Sequence, residues 1–230
     1  MRILGIDTSG KVASVALTDD EKLICEKVLY TKLTHSQIIL PMVKEVLSDS
    51  GLDFKDIDII AVADGPGSYT GLRIGIAAVK GICLGAPNIK CAGVSTLKAL
   101  AYNCVEFCGK IISVMRARPG VVYVGEFLSD GGAVTQLVSD KVCTEDEVFA
   151  GLDTEQKIML TGDCCDDIKA KYFAGDNNVL CAKLSHKLQH ASSLCAAVND
   201  DPKSITTPEK LEVAYLQATK AEKDKAHKDM

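Results

Sequence analysis

The residues whose types and spacing best suit chemistry form a glycine-rich loop at positions 65–75, which reads Gly-Pro-Gly-Ser-Tyr-Thr-Gly-Leu-Arg-Ile-Gly. Glycine accepts positive φ angles and proline fixes φ, so the first three residues predict a tight turn. Thr70 is placed to cap a helix that begins there. Because a glycine turn before a helix often presents backbone N–H groups to an anion, the loop predicts either a phosphate cradle or a purely structural turn.

The two standard phosphate-binding patterns do not match this loop. A P-loop ends in Gly-Lys-Ser/Thr, whereas Gly71 is followed by Leu72 and Arg73. A dinucleotide-binding fingerprint needs a third glycine at position 70, which is Thr70. A strand-like run precedes the loop and a helix-like run follows it, so both interpretations stay open.

The turn Asp7-Thr8-Ser9 is a second candidate site. A carboxylate beside two hydroxyls can orient a metal-bound phosphate, and the same residues can form an Asx or Ser/Thr turn that closes a hairpin.

Other chemistries have weaker support. His186 and His190 are four positions apart in a predicted helix, which would place them on one face, but zinc needs three or four ligands. His35 and Ser36 are neighbours, so they cannot face each other across a triad, and we expect His35 at a helix N-terminus. The sequence also lacks a Gly-x-Ser-x-Gly elbow. We therefore predict no metal site and no catalytic residue.

Composition limits the classes of function. The chain has 230 residues, 47% of them apolar, a formal net charge of −5 and ten cysteines without a Cys-x-x-Cys pair. These values predict a sizeable core, free thiols, and no direct clamp on a polyanion, which would need clustered Lys and Arg. We find neither a signal sequence nor an apolar run of roughly 20 residues, so we predict a cytoplasmic protein without a membrane contact.

Hydrophobic periodicity predicts alternating strands and helices in both halves of the chain. In the first half we predict strands at 2–7, 12–17, 23–30, 57–63 and 89–94, and helices at 36–50, 70–85 and about 96–104. In the second half we predict strands at 111–115, 121–127 and 157–161, and helices after a capping box at 144–147 and at 163–173 and 186–198. This order implies an α/β protein with two mixed-sheet lobes, 1–105 and 106–219, and a flexible tail at 220–230.

The helix predicted at 70–85 has an unusual density of small residues: Gly71, Gly75, Ala77, Ala78, Gly81 and Gly85. Each glycine inside a helix costs up to about 1 kcal/mol relative to alanine, so several together predict the close approach of another backbone. The helix at 36–50 is also more apolar than one buried face needs. Together they predict either a subunit interface or packing within the domain.

The chain resembles a known family. Residues 3–9 resemble the first phosphate hairpin of the actin, sugar kinase and heat-shock chaperone ATPase (ASKHA) fold, which is built from two RNase H-like lobes. Five segments together resemble the TsaB (YeaZ-like) family: His35-Ser36, Leu40-Pro41, 65–75, Lys80-Gly81 and 93–97. The resemblance covers the N-terminal lobe and continues more weakly through Arg118, Gly120, Tyr123 and Tyr215.

The resemblance implies a non-catalytic subunit of the bacterial tRNA threonylcarbamoyladenosine machinery. Its catalytic relative, TsaD, transfers a threonylcarbamoyl group to N6 of the adenosine next to the anticodon. The His-x-x-x-His metal motif of such catalytic relatives aligns with Thr96 and Leu100, which implies a pseudoenzyme. Arg116 and Gln217 stand where the family usually has Asp and Arg, which puts contacts of the second lobe with nucleotide or tRNA in doubt.

The resemblance also implies site residues. The expected partner interface comprises His35, Ser36, Ile39, Leu40, Val43, Val46, Leu72, Gly75, Ile76 and Val79. The expected vestigial phosphate-loop positions are Asp7, Thr8, Ser9, Gly65, Gly67 and Ser68.

The implied partners are the catalytic TsaD subunit, the ATPase subunit TsaE, and a second copy of the chain when it is alone, with tRNA reached only through the complex. No cofactor is expected to bind tightly, and weak binding of ATP and Mg²⁺ stays open. The alternative is an enzyme in its own right, either a nucleotide-dependent transferase or a glycoprotease-like protein. A sugar-kinase-like protein is a third reading, but it needs a catalytic aspartate in the second lobe that we cannot place.

Overall fold

The computed structural model describes residues 1–30 and 32–217. It contains eleven strands in these residues: β1 Arg2–Asp7, β2 Val12–Asp19, β3 Lys22–Tyr30, β4 Ile59–Gly65, β5 Lys90–Ser95, β6 Gly109–Arg118, β7 Val121–Ser129, β8 Val134–Thr144, β9 Ile158–Thr161, β10 Val179–Cys181 and β11 Ile205–Thr206. The α-helices are α1 His35–Ser50, α2 Tyr69–Gly85, α3 Thr96–Tyr102, α4 Glu145–Phe149, α5 Cys165–Tyr172 and α6 Ala191–Asp200. The tail predicted at 220–230 lies outside the described residues.

The first sheet has the order β11-β5-β4-β1-β2-β3. β1 and β2 form the predicted antiparallel hairpin, in which Ile6 is opposite Val15, and β1 is parallel to β4. Strands β1, β2 and β4 are apolar along almost their whole length because helices cover both faces of this part of the sheet. α1 and α2 pack on one face and α6 packs on the other, against β1 and β2.

The second sheet has the order β10-β9-β6-β7-β8. β6, β7 and β8 are antiparallel, whereas β9 and β10 continue the sheet in parallel. α3 lies between the two sheets, and its buried residues Leu97 and Leu100 share one core cluster with Ile3 of the first sheet and Phe127 of the second. The fold therefore has two mixed sheets, as predicted, and α3 contributes to a core that residues of both sheets share.

Several predicted elements differ from the observed ones. α2 begins at Tyr69 and is capped by Ser68, whose side chain accepts from the backbone N–H of Gly71, so Thr70 is not the cap. The sequence did not predict β8 or β10. The segment predicted as one helix over 186–198 is a 3₁₀ turn ending at His186, a short irregular connection, and then α6 from Ala191.

The segment from α6 to β11 returns to the first sheet rather than completing the second lobe. The Cys195 thiol donates to the carbonyl oxygen of Ile3 at 3.7 Å, and β11 pairs with β5. The sequence places these residues in a lobe at 106–219, because periodicity shows which face of a helix is buried but not which sheet covers it. None of the helices in the part of the chain that the structure describes is long and apolar enough to cross a membrane.

Candidate functional site

The turn between β1 and β2 holds the carboxylate that could have contacted a phosphate or its metal. Asp7 is completely buried, and its Oδ1 accepts from the backbone N–H of Ser9 at 2.8 Å and from the Ser9 hydroxyl at 2.6 Å. Burial raises the pKa of Asp7 in spite of these two hydrogen bonds. The two hydrogen bonds from Ser9 give Asp7 the geometry of an Asx turn that closes the hairpin.

The glycine loop packs against this turn. The backbone N–H of Ser68 donates to the carbonyl oxygen of Ser9 at 2.7 Å, and the hydroxyl of Thr8 donates to the carbonyl oxygen of Gly71 at 2.8 Å. A Cβ on Gly75 would lie 2.6 Å from Oγ1 of Thr8, and a Cβ on Gly71 would overlap the Thr8 carbonyl oxygen. Gly71 and Gly75 therefore allow two parts of this chain to approach closely. Packing within the domain is one of the two alternatives that the sequence left open for the small residues of α2.

Two further side chains fill the space around Gly10. Gln189 is almost fully buried, and its amide end lies where a Cβ on Gly10 would be. A ring nitrogen of His35, Nε2, lies 2.9 Å from the carbonyl oxygen of Gly10. With Gly67 also pressed against the Ser9 backbone, protein atoms surround the turn at each of these points. No sequence signal pointed to Gln189, because a buried glutamine in a short irregular connection follows no spacing rule.

The positions aligned with the metal motif of the catalytic relatives do not fit a metal ion. Thr96 and Leu100 are both fully buried in α3, and Leu100 belongs to the core cluster between the sheets. Iron and zinc need imidazole, thiolate or carboxylate ligands, and neither a leucine side chain nor a threonine hydroxyl supplies one. These two positions therefore cannot serve as the metal ligands of a catalytic relative.

Seven of the ten expected interface residues lie in the interior of this chain. Ile39, Val43 and Val46 of α1 pack with Ile76 and Val79 of α2 in the core of the first lobe. Leu72 is 1% exposed and Gly75 faces Thr8, so neither is available on the surface. His35 begins α1 as predicted but is also engaged with Gly10. Of the expected set, Ser36 and Leu40 are exposed.

The opposite side of the same helices faces solvent. On α2 the exposed positions Arg73, Ala77, Gly81 and Leu84 follow one another at helical spacing, and we refer to them as the α2 outer face. Leu84 is 87% exposed, and apart from the helix's own backbone no heavy atom of the described chain lies within 4 Å of the Cβ position at Gly81. Leu40 adds an exposed apolar side chain on α1. On the α2 outer face, the small residues Ala77 and Gly81 leave room for another backbone to approach.

A segment near the end of the described chain, residues 207–217, crosses the start of α2, and we call it the C-terminal strap. The backbone N–H of Ala214 donates to the carbonyl oxygen of Asp64 at 2.8 Å, next to Gly65. The Tyr215 ring stacks on the Tyr69 ring with centroids 5.1 Å apart, and the Tyr215 hydroxyl lies 2.8 Å from Nε of Arg73. Tyrosine and arginine are enriched at protein interfaces. The sequence analysis indicated Tyr215 only through the family resemblance.

A pair of carboxyl groups lies beside the strap. Burial, together with the nearby Asp140 carboxylate, raises the pKa of Asp64 to about 7. Burial also raises the pKa of Asp140, which accepts from the hydroxyl of Ser95 and, at 2.8 Å, from the amide of Gln136. Two carboxyl groups near one another do not both ionise easily, and Asp64 takes up a proton as the pH falls through about 7.

The two residues that depart from the family pattern are both engaged within the chain. Arg116 forms ion pairs with Glu145 and Asp167, and Glu145 also pairs with Lys171 at 2.8 Å. The side-chain oxygen of Gln217 accepts from Arg118 at 3.3 Å. Arg116 therefore links β6 to α4 and α5.

The two histidines singled out by the sequence do not form a pair. His190 precedes α6, and its Nδ1 lies 3.1 Å from Glu26 of β3, whose carboxylate raises the pKa of the imidazole. His186 is exposed in the 3₁₀ turn. The prediction that they share one helical face was wrong because the helix begins only at Ala191.

Comparison with known proteins places these observations in a family. The family model described as TsaD, tRNA N6-adenosine threonylcarbamoyltransferase, matches residues 30–226. The tRNA threonylcarbamoyladenosine biosynthesis protein TsaB of Bacillus subtilis is 38% identical over 141 residues, which are 61% of each chain. TsaB of Haemophilus influenzae is 31% identical over 166 residues, 67% of this chain and 69% of that protein. The chain thus spans about three fifths of the Bacillus relative it matches.

Solved structures agree with the fold. YeaZ from Pseudomonas aeruginosa superposes with a TM-score of 0.80 at 26% identity, covering 94% of this chain and 99% of that one. The ethanolamine utilization protein EutJ from Carboxydothermus hydrogenoformans gives 0.53 at 12% identity over 86% of this chain and 89% of its own, and shows the fold alone. The predicted two-lobed, actin-like α/β class is confirmed.

Proposed function

Because this chain belongs to the TsaD family, and within it to the TsaB proteins, we propose that it is a non-catalytic subunit of the tRNA threonylcarbamoyladenosine machinery. In this proposal it binds and activates a catalytic TsaD subunit, which modifies N6 of the adenosine next to the anticodon. The chain contributes a surface and a scaffold, and the reacting atoms lie in the partner.

The burial of Thr96 and Leu100 is the observation that carries this proposal. A catalytic relative needs two imidazoles there, pointing to a metal ion, whereas this chain uses both positions for core packing. The contacts of Thr8 and Ser9 with the glycine loop support the same conclusion, since they occupy the backbone that would otherwise face a phosphate. We therefore propose that ATP and Mg²⁺ bind weakly if they bind this subunit at all.

We place the contact with the catalytic subunit on the α2 outer face and on Leu40 of α1. The family resemblance puts the interface on these two helices, and the structure leaves only their outer sides exposed. Small side chains at Ala77 and Gly81 permit a helix of the partner to approach closely, and Leu40 and Leu84 supply apolar area. When the catalytic subunit is absent, the same face can pair with a second copy as an isologous contact.

The remaining partners follow from the family. We propose that the ATPase subunit TsaE is a third component, that tRNA is reached only through the complex, and that the complex works in the cytoplasm. The net charge of −5 supports an indirect contact with tRNA, because direct contact would need a cluster of cations.

Depletion of the protein followed by nucleoside analysis of tRNA tests the pathway. We expect loss of the threonylcarbamoyl adduct, restored by the wild-type chain and by Gly81→Ala. Gly81→Arg, which places a long cation on the α2 outer face, should fail to restore it and should not co-purify with the catalytic subunit.

The two Gly81 variants control for folding, because arginine and alanine both favour a helix over glycine. Normal adduct levels after depletion would contradict the pathway. Co-purification of Gly81→Arg with the catalytic subunit would contradict the proposed surface alone. Turnover of ATP or of a transferable group by the isolated chain would instead favour the alternative of an enzyme in its own right.

A further inference from the structure

A cluster of two thiols and one carboxylate lies in the second lobe, far along the chain from the glycine loop. The thiols of Cys165 and Cys181 and the carboxylate of Asp166 place their ligand atoms within 4.8 Å of one another. Cys165 and Asp166 are the first residues of α5, and Cys181 is the last residue of β10. The proposed function does not depend on this cluster.

We propose that these three side chains form a binding site for a thiophilic divalent cation of the zinc class. Zinc binds cysteine sulfur at about 2.3 Å and carboxylate oxygen at about 2.1 Å in a tetrahedron, so neighbouring ligand atoms are then roughly 3.4–3.8 Å apart. Small movements bring the observed group to that spacing. Two sulfur ligands select Zn²⁺, and Cd²⁺ or Co²⁺ as probes, over Mg²⁺ and Ca²⁺.

The two elements that carry the ligands are already held together. Cys181 Sγ lies 3.4 Å from the carbonyl oxygen of Cys165, and β10 is fixed to β9 by regular parallel pairing, with Cys181 opposite Leu160. The site therefore joins the first turn of a helix to the edge of a sheet. Little backbone rearrangement is needed to bind the ion, which limits the entropic cost of ordering the ligands.

The surroundings suit a site with one exchangeable position. Cys181 and Asp166 line a cavity of about 1100 Å³, and Cys165 is buried behind them. Three protein ligands leave a fourth position, which this cavity can supply with water or a small anion.

The charges also balance. Two thiolates and one carboxylate exceed the charge of a divalent cation by one negative charge. Lys187 pairs with Oδ2 of Asp166, and Lys169 lines the same cavity, so the excess is compensated nearby. A carboxylate has two oxygens, so the pairing with Lys187 does not use up Asp166 as a ligand.

Cobalt titration of the reduced, chelator-treated full-length chain under anaerobic conditions tests the proposal. We expect one equivalent of Co²⁺ to produce a thiolate-to-cobalt charge-transfer band, which one equivalent of Zn²⁺ abolishes. Cys165→Ser and Cys181→Ser should each lose most of the band. Cys108→Ser, which removes an exposed thiol near Asp130, is the matched control and should keep it.

A further variant guards against misfolding of the cysteine variants. Asp166 is exposed, so Asp166→Asn should fold normally, keep the sulfur band and bind cobalt at least about tenfold more weakly. Saturating Zn²⁺ should also raise the Tm of the wild type and leave that of Cys181→Ser unchanged. Absence of the band in the wild type would overturn the proposal, as would an unchanged band in Cys165→Ser/Cys181→Ser. A Cys165–Cys181 disulfide in a chain that takes up no metal when reduced would also overturn it.

Discussion

Thr8 contacts the backbone of Gly71 through both its side chain and its own backbone. The Thr8 hydroxyl donates to the carbonyl oxygen of Gly71 at 2.8 Å, while the carbonyl oxygen of Thr8 fills the space that a Cβ on Gly71 would need. This contact locks the first hairpin to the start of α2. A loop that elsewhere could present its backbone to a phosphate is here used to hold two elements of one lobe together.

Gly71→Ala tests this contact. The added methyl group must displace the Thr8 backbone, so we expect a loss of about 1–3 kcal/mol in the free energy of unfolding, measured by urea denaturation. Gly81→Ala is the matched control in the same helix. Apart from the helix's own backbone, no heavy atom of the described chain lies within 4 Å of its Cβ position, so the variant should gain up to about 1 kcal/mol from helix propensity. Equal effects of the two variants would contradict the close approach at Gly71.

Neighbouring residues of α1 should separate folding from partner binding. Ile39 is 1% exposed, so Ile39→Glu buries an unpaired charge. We expect this variant to lower the free energy of unfolding by about 3–5 kcal/mol, which should unfold the chain. Leu40 is exposed, so Leu40→Glu should keep the wild-type Tm within experimental error and reduce self-association and co-purification with the catalytic subunit.

Thermal melts and analytical ultracentrifugation measure the two effects. Ser48→Glu, a change at another exposed position of α1, is the control for added surface charge. The proposed surface would be wrong if Leu40→Glu and Ser48→Glu associated equally well with the catalytic subunit.

The long helices α1 and α2 could be predicted from the sequence because their apolar residues repeat regularly. The helices predicted at 36–50 and 70–85 are observed as His35–Ser50 and Tyr69–Gly85. β8 was missed because seven of its eleven residues are exposed, so its pattern lacks an apolar face. Exposure of an edge strand removes the very alternation from which strands are recognised.

The site was less predictable than the fold because it depends on distant pairs. The resemblance assigned the interface to α1 and α2 without distinguishing the buried side of each helix, so core residues such as Val43 and Val79 entered the expected set. Cys165 and Cys181 are sixteen positions apart, and their proximity arises only when α5 packs beside β10. Sequence spacing reports contacts within one element and is silent about contacts between elements.

The buried carboxyl group of Asp64 should make stability depend on pH. Its pKa of about 7 lies above that of an aspartate in the unfolded chain, near 4, so the native state binds more protons between these values. The free energy of unfolding should therefore fall as the pH rises from about 4 to about 7, and this contribution should be constant above that range.

Asp64→Asn should remove this dependence. Urea midpoints at pH 5 and pH 8 should show the wild type losing on the order of 2–3 kcal/mol more than the variant between the two values. Glu106→Gln, at an exposed position, should give a profile parallel to that of the wild type. A parallel profile for Asp64→Asn would show that Asp64 ionises in the native state as it does in the unfolded chain.

The C-terminal strap should be held mainly by the buried side chain of Leu211 and not by the aromatic ring of Tyr215. Leu211 is 3% exposed in the core of the first lobe, so Leu211→Ala should cost about 2–4 kcal/mol and speed proteolytic cleavage within residues 207–217. Tyr215→Ala removes the stack on Tyr69 and the contact with Arg73, which are partly exposed, and should cost about 1 kcal/mol. Leu84→Ala, at a side chain that is 87% exposed, should stay within about 0.5 kcal/mol of the wild type. If Tyr215→Ala destabilised the chain as much as Leu211→Ala, the stack on Tyr69 would be the element that closes the strap over Gly65.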